Sequence, residues 1–316
     1  MERYKNILKE FFGKKIVVIG DVMLDEYVMG SVKLLTEDDP RVPILETEST
    51  RYLIGGAGNT ASNIKSLGGE VTLFGVIGDD YAGEILKEKT LEKGIKFYPS
   101  PFSALRTTQK TRFIAGTEHI GNLYYLVRLD REDERPKPVD YPFLNEALNE
   151  ADIVVISDYA KGVVSKDLVD FLKLSKKRII VDPKPRNINL YSRVDVIKLN
   201  QKEALESTGS MSIYEAGKML QQKLESKVLI TRGSMGMSIF NSGIKDIPTM
   251  AREVYDVTGA GDTVLAALSM ALASGAEIED AAIIANHAAG IAVEHVGNYS
   301  VSFSELEKRI VEYRGV

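Results

Sequence analysis

Six short apolar runs constrain this chain more than any other feature: KIVVIGD (15–21), VTLFGVIGDD (71–80), ADIVVISD (151–158), RIIVDPK (178–184), VDVIKLN (194–200) and KVLITRG (227–233). They are rich in β-branched residues and do not alternate apolar with polar, so each would be a strand buried on both faces. That is the condition of a parallel sheet inside an α/β domain. Helical stretches fall between them, near 57–67, 81–93, 165–175, 201–207, 213–225, 261–274 and 278–295. The alternation predicts an α/β fold with a mainly parallel central sheet and helices on both faces. Ligands of such sheets meet the carboxyl ends of the strands, where Asp21, Asp158, Asp182, Asn200 and Thr231 fall.

DVTGAGDTVLAAL (256–268) places small residues and two aspartates directly before an apolar helical stretch. A helix N-terminus exposes unpaired N–H groups and partial positive charge, and Gly259, Ala260 and Gly261 let an anion approach the main chain closely. The turn reads as an anion cradle. Asp262 at its rim could take the proton of an attacking hydroxyl, which is a phosphoryl-transfer geometry. The competing reading is a plain helix cap on a glycine turn.

Two stretches break the strand–helix rhythm. Residues 27–52 and 106–128 show partial alternation without a helical period, and they predict hairpins forming a small β-lid over the strand ends. Such a flap would exclude water, and its exposed edge or face would call for a second subunit, so a homodimer through the lid is expected. The charged segment 128–143 reads as a solvated connector. One domain covering 1–316, with the two lid insertions, accounts for the length.

Composition narrows the partners. A formal charge of −5 without a block of Lys or Arg argues against non-specific nucleic-acid binding. The absence of cysteine excludes disulfides, thiolate metal sites and cysteine nucleophiles. The charged start MERYKNILKEFFGKK lacks a secretory apolar run, and no segment reaches the roughly 18 uninterrupted apolar residues of a membrane span. A cytoplasmic protein without membrane contact is expected.

With these residues in view, the chain resembles the ribokinase-like (PfkB) carbohydrate kinases. DVTGAGDTVLAALS (256–269) carries one of that family's motifs, and GGAGNTASNIKSLGGEVTLFGVIG (55–78) carries another, with Gly55, Gly56, Asn59, Ala61, Gly68 and Gly78 at its spacing. Further stretches are similar to the members that phosphorylate D-glycero-D-manno-heptose 7-phosphate at the anomeric oxygen, one half of a bifunctional enzyme of ADP-heptose synthesis. They are VVIGDVMLDEYVMG (17–30), SDYAKG (157–162), VDPK (181–184), TRGSMGMSIF (231–240) and EVYDVTGAGDTV (253–264). Two places depart from that pattern: LLTEDDPRVPIL (34–45) alters residues around the outline it keeps, and Gly58 stands where a second Ala is usual. The chain contains no H-x-G-H, its histidines being His119, His287 and His295, so no nucleotidyltransferase domain is expected within it.

The resemblance implies a ribokinase-like fold, ATP as co-substrate, Mg²⁺ and an adjoining K⁺ site. Asp262 would be the general base, with Gly259, Ala260 and Gly261 as the anion hole. Asn200 and Glu203 match the family's N-x-x-E element, Glu203 facing Mg²⁺ through water, although Asn followed by Glu at this spacing is also a capping box. Thr231, Gly233 and Gly236 would line the nucleotide turn and Asn286 the adenine, while Asp256, Thr258, Gly297 and Ser300 would surround K⁺. Asp21, Gly56 and Asn59 would hold sugar hydroxyls, the alternative for Asp21 being a turn cap. A dianionic 7-phosphate needs fixed cations, for which Lys161, Lys184, Arg112 and Arg128 are the candidates. Two alternatives stand beside the heptose reading. One is another sugar kinase of this fold, acting on ribose, fructose or a keto-deoxy sugar acid. The other is a nucleotide-binding regulatory module without turnover.

Overall fold

The computed structural model describes residues 2–35, 43–101, 104–116, 124–133 and 143–312. In chain order the strands are β1 (Lys15–Gly20), β2 (Val22–Leu35), β3 (Pro43–Gly56), β4 (Glu70–Ile77), β5 (Lys96–Pro101), β6 (Gln109–Ala115), β7 (Tyr124–Arg131), β8 (Ile153–Ser157), β9 (Arg178–Asp182), β10 (Val196–Asn200), β11 (Lys227–Thr231), β12 (Met237–Phe240) and β13 (Ile244–Ile247). The helices are α1 (Glu2–Lys9), α2 (Ala57–Ser66), α3 (Tyr81–Glu92), α4 (Leu144–Glu150), α5 (Lys166–Leu174), α6 (Gln201–Thr208), α7 (Ile213–Leu224), α8 (Ala260–Ala273), α9 (Ile278–Ala292) and α10 (Phe303–Glu312).

All six apolar runs enter one nine-stranded sheet of order β13-β12-β11-β10-β9-β8-β1-β4-β5. Its pairs are parallel from β5 to β11, and the hairpin β12–β13 adds two antiparallel strands at one edge. Successive side chains sort to opposite faces, as the period of a strand requires. Ile16, Val18, Ile153 and Val155 join a core with α1, α2, α3, α8, α9 and α10, whereas Val17, Ile19, Val154 and Ile156 join another with α4, α5, α6 and α7. Each such side chain contributes about 1.5–3 kcal/mol by leaving water.

Register then fixes the site. Gly20 pairs with Ser157, Ser157 with Asp182, and Asn200 with Thr231, so the polar strand ends stand level along one rim.

Above that rim lies a separate four-stranded sheet of order β3-β2-β6-β7, the expected lid. Its bounds differ from the sequence reading. Only Asp21 separates β1 from β2, so the first hairpin begins at Val22 and returns to Gly56, and β7 takes residues to Arg131 that were assigned to the connector. The remainder of that connector, at 134–142, and most of the departing stretch 34–45 lie outside the described residues. Strand β5 escaped the sequence reading because KFYPSP carries two prolines, tolerable only on an edge strand, and β5 pairs with β4 alone.

Candidate active site

Helix α8 begins at the cradle. Gly259 is its N-cap at φ 77°, a left-handed conformation that suits glycine, and a Cβ there would stand 2.8 Å from both Asn59 Nδ2 and Asn298 Oδ1. The Ala260 N–H turns back to the Val257 carbonyl at 3.3 Å, so among the expected donors the cradle rests on Gly259 and Gly261.

Asp262 sits in the first turn but makes no side-chain cap, contrary to the plain capping alternative. Its carboxylate instead accepts hydrogen bonds from three side chains of other segments: Asn59 Nδ2 (2.9 Å), Tyr159 Oη (2.8 Å) and Thr60 Oγ1 (3.3 Å). Only 5% of Asp262 is exposed. Burial pushes its carboxyl above the ordinary range, while those three bonds and the charge of Lys198 hold it back. A carboxylate held this way is oriented and desolvated.

On one side of Asp262 opens a cleft of about 390 Å³. Thr231, Gly233 and Gly236 line it from the β11–β12 turn, Ala260 and Gly261 from α8, and Asn286 from α9. Six expected residues therefore share one cavity. Asn286 donates to the Pro248 carbonyl at 2.6 Å, so its amide N–H holds the cleft wall. Asn200 and Glu203 form the capping box: the Glu203 N–H donates to Asn200 Oδ1 and the Asn200 N–H to Glu203 Oε2, both at 2.9 Å. The Asn200 side chain thus serves the helix, not the nucleotide cleft. Burial opposes charge on Glu203, but Lys198 and Lys184 outweigh it and hold the carboxyl below its usual range.

The sugar-side expectations need more revision. Asp21 is 1% exposed, and its carboxylate accepts from the Tyr159, Lys161 and Val163 N–H groups at 2.9, 3.0 and 3.3 Å. It shapes the 159–163 loop, as the turn-cap alternative held. Gly56 caps α2, and Asn59 reaches Asp262.

The four candidate cations do not converge on one point. Lys184 pairs with Glu203 at 2.5 Å, Arg112 with Asp25 at 2.5 Å and Lys161 with Glu132. Arg128 binds Asp130 through two bonds of 2.8 and 2.9 Å, with 57% of its side chain exposed. Each is neutralised by a carboxylate, and Lys184 belongs beside Glu203, not at a distal sugar phosphate.

Lys110 is a different case. It shares one face of β6 with Arg112, and its Nζ lies 5.9 Å from the Tyr159 ring centroid, with Lys184 Nζ at 5.0 Å. It makes no ion pair among the described residues, although Asp25, Glu132 and Asp130 act on it from nearby.

In the expected K⁺ turn, Asp256 accepts from the Thr258 N–H and hydroxyl and from the Gly297 N–H at 2.9, 2.7 and 2.8 Å. Ser300 departs from that group, accepting from Ser66 and Lys93, both at 3.4 Å. Among the described residues no cluster of three His, Asp or Glu side chains is set to hold a metal.

Sequence reasoning missed Asp25, Lys110, Tyr159, Lys198 and Asn298. Asn298 Nδ2 donates to Asp25 Oδ2 at 2.7 Å and ties the lid to the loop after α9. The one legible signal was Lys198, a charged residue inside an otherwise apolar strand.

A central sheet topped by a lid, with a cradle, a carboxylate and an adjoining cleft at the strand ends, defines a ribokinase-like phosphotransferase. The model of the pfkB family carbohydrate kinases matches residues 13–304, and the chain belongs to that family. It is 38% identical over 317 residues to the bifunctional protein HldE of Caulobacter vibrioides and 39% over 308 to that of Geobacter metallireducens. These alignments take in 94% and 92% of this chain but 64% and 61% of those relatives, so the chain spans less than two thirds of their length. Among solved structures, the ribokinase of Arabidopsis thaliana complexed with ribose and ATP superimposes with TM-score 0.75 at 20% identity, over 96% of this chain and all of that one. The phosphofructokinase-2 of Escherichia coli in complex with potassium gives 0.74 at 17%, over 95% and 98%. No helix among the described residues is long and apolar enough to cross a membrane.

Proposed function

We propose that this carbohydrate kinase transfers the γ-phosphoryl group of ATP to the anomeric hydroxyl of D-glycero-D-manno-heptose 7-phosphate, giving the 1,7-bisphosphate. The observation that carries the reading is the position of Asp262. Three side chains, Asn59 and Thr60 of α2 and Tyr159 of the loop after β8, fix its carboxylate directly after Gly261, which lines the 390 Å³ cleft. ATP would occupy the cleft, with its terminal phosphate on the Gly259 and Gly261 amides. Asp262 takes the proton of the acceptor hydroxyl, the new O–P bond forms and the bond from phosphorus to the β–γ bridging oxygen breaks, releasing ADP. Amides already in place stabilise the spreading charge better than water that must reorganise.

Mg²⁺ would neutralise the phosphates when bound. Glu203 suits contact through water, because both its oxygens already accept one hydrogen bond, from Lys184 and Asn200, and each keeps a second lone pair. Asp256, Thr258 and Gly297 form the oxygen-bearing turn beside the cradle where K⁺ would sit.

A phosphorylated sugar is favoured over a neutral one by Lys110, whose ammonium stands over the Tyr159 ring and makes no ion pair among the described residues. The lid's outer face supports a homodimer. Val127 and Leu129 lie across from Phe113 and Thr111, on the side away from Arg112, and are 59% and 39% exposed.

A panel measuring ADP release with heptose 7-phosphate, unphosphorylated heptose, ribose and fructose tests the reading. The expected order puts heptose 7-phosphate first by at least a hundredfold in kcat/KM. A preference for ribose or fructose would replace it with the rival sugar-kinase assignment. ADP release from none of them, with ATP still bound, would favour the regulatory module.

A further inference from the structure

We propose that Lys198 is a catalytic residue of the phosphoryl transfer, its ammonium donating to an oxygen of the group in flight. Lys198 rises from β10 among apolar neighbours, and its side chain is only 4% exposed. Its Nζ lies 2.6 Å from Asp182 Oδ2, the one hydrogen bond this ammonium makes among the described residues. An ammonium has three N–H donors, and buried donors in folded proteins are nearly always matched. Two are therefore unspent, and their location points to an anionic ligand.

The location is the cradle itself. A Cβ added to Gly261 would stand 2.8 Å from Lys198 Nζ and 3.9 Å from Asp182 Oδ2. Glycine at 261 thus serves a second purpose beyond anion access: it makes room for the charge. The charge of Lys198 also favours the ionised carboxylates of Asp262 and Glu203. Lys184, by contrast, is spent on Glu203 and is 38% exposed.

The phosphoryl group spreads negative charge over three oxygens during transfer. The cradle offers neutral amides, and the chain as a whole carries −5. A buried ammonium supplies fixed positive charge at low local dielectric, where it acts most strongly. Lys198 acts through its charge and its N–H donors and passes no proton. Asp182 anchors it.

Three variants of the full chain test this, using ATP and whichever panel sugar the wild type turns over best: Lys198→Met, Lys198→Arg and Asp182→Asn. Lys198→Met should lower kcat about a hundredfold while changing KM for the sugar less than threefold. Lys198→Arg should recover part of that loss. Asp182→Asn removes the anchor but keeps the ammonium, and should cost less than tenfold. The inference is overturned if Lys198→Met keeps kcat within threefold, or if Asp182→Asn loses as much, since the lysine would then only neutralise Asp182. Should Lys198→Met fail to fold, the double variant with Asp182→Asn removes the orphaned carboxylate. It should fold and stay at least tenfold slower than Asp182→Asn alone, and equality of the two also overturns the inference. The inference rests on kinase membership, not on the heptose reading, so a wild type that prefers another sugar leaves it intact.

Discussion

Tyr159 sets a single hydroxyl 2.8 Å from the carboxylate proposed above as the general base. The groups facing Asp262 are Asn59 and Thr60 from α2, Tyr159 from the loop after β8 and Lys198 from β10. All favour the ionised carboxylate against a burial that opposes it. Removing one hydrogen bond from the ionised form raises a carboxyl pKa. Tyr159→Phe should therefore move the acid limb of the kcat/KM profile upward and lower kcat by about tenfold. An unmoved limb would mean that Tyr159 only fills space. Lys110→Ala makes a separate prediction. KM for a phosphorylated sugar should rise at least tenfold with kcat little changed, whereas KM for the unphosphorylated sugar should stay within twofold. Equal effects on both would remove Lys110 from phosphate recognition. Neither residue was legible in the sequence as functional. Asp262 and its glycines could be expected together, because their spacing is local to one turn. Tyr159, Lys110 and Asp25 acquire meaning only when three separated segments meet. Asp21 misled for the same reason: an acid at a strand end reads alike whether it faces a ligand or the backbone N–H groups of the next loop.

Elements were easier to read than the joints between them. Apolar strands and amphipathic or buried helices follow from periodicity, and the six runs became neighbours in one sheet. What periodicity could not supply was how the lid attaches. Asp25 on β2 is bound by Arg112 of β6 at 2.5 Å and by Asn298 at 2.7 Å, a clamp joining two lid strands to the loop that touches Gly259. Arg112 and Asp25 side chains are 12% and 5% exposed. Removing one partner of such a pair leaves a buried charge and is strongly destabilising, by about 3–5 kcal/mol when fully buried. Arg112→Met should loosen the lid, seen as faster limited proteolysis within residues 22–56 and 109–131 than in the central sheet. It should also raise the sugar KM more than tenfold while the ATP KM changes little. Pairing it with Asp25→Leu should restore the melting temperature but not the sugar KM. If the double variant recovers both, the clamp holds the fold and has no part in the site.

At the scale of the whole molecule, the central sheet packs helices against both of its faces. The lid differs. Its inner side carries Asp25, Arg112 and Lys110, while Val127 and Leu129 are open on its outer side. A sheet with one apolar face uncovered is a surface awaiting a partner. The partial alternation at 106–128 already signalled such a two-sided strand pair, and from it a lid dimer was expected. The face that pairs was not, since register alone decides which residues point outward. If two lids pack through this face, each braces the other over its sugar pocket, and dissociation should weaken sugar binding more than ATP binding. Sedimentation of the wild type at micromolar concentration should then show a dimer, and Val127→Glu with Leu129→Glu should shift it to a monomer. The charges lie on the side away from the pocket, so a sugar KM that rises with dilution of the wild type, and is high at all concentrations in the variant, would tie the effect to association. A wild type that sediments as a monomer at every concentration leaves the outer face without this role.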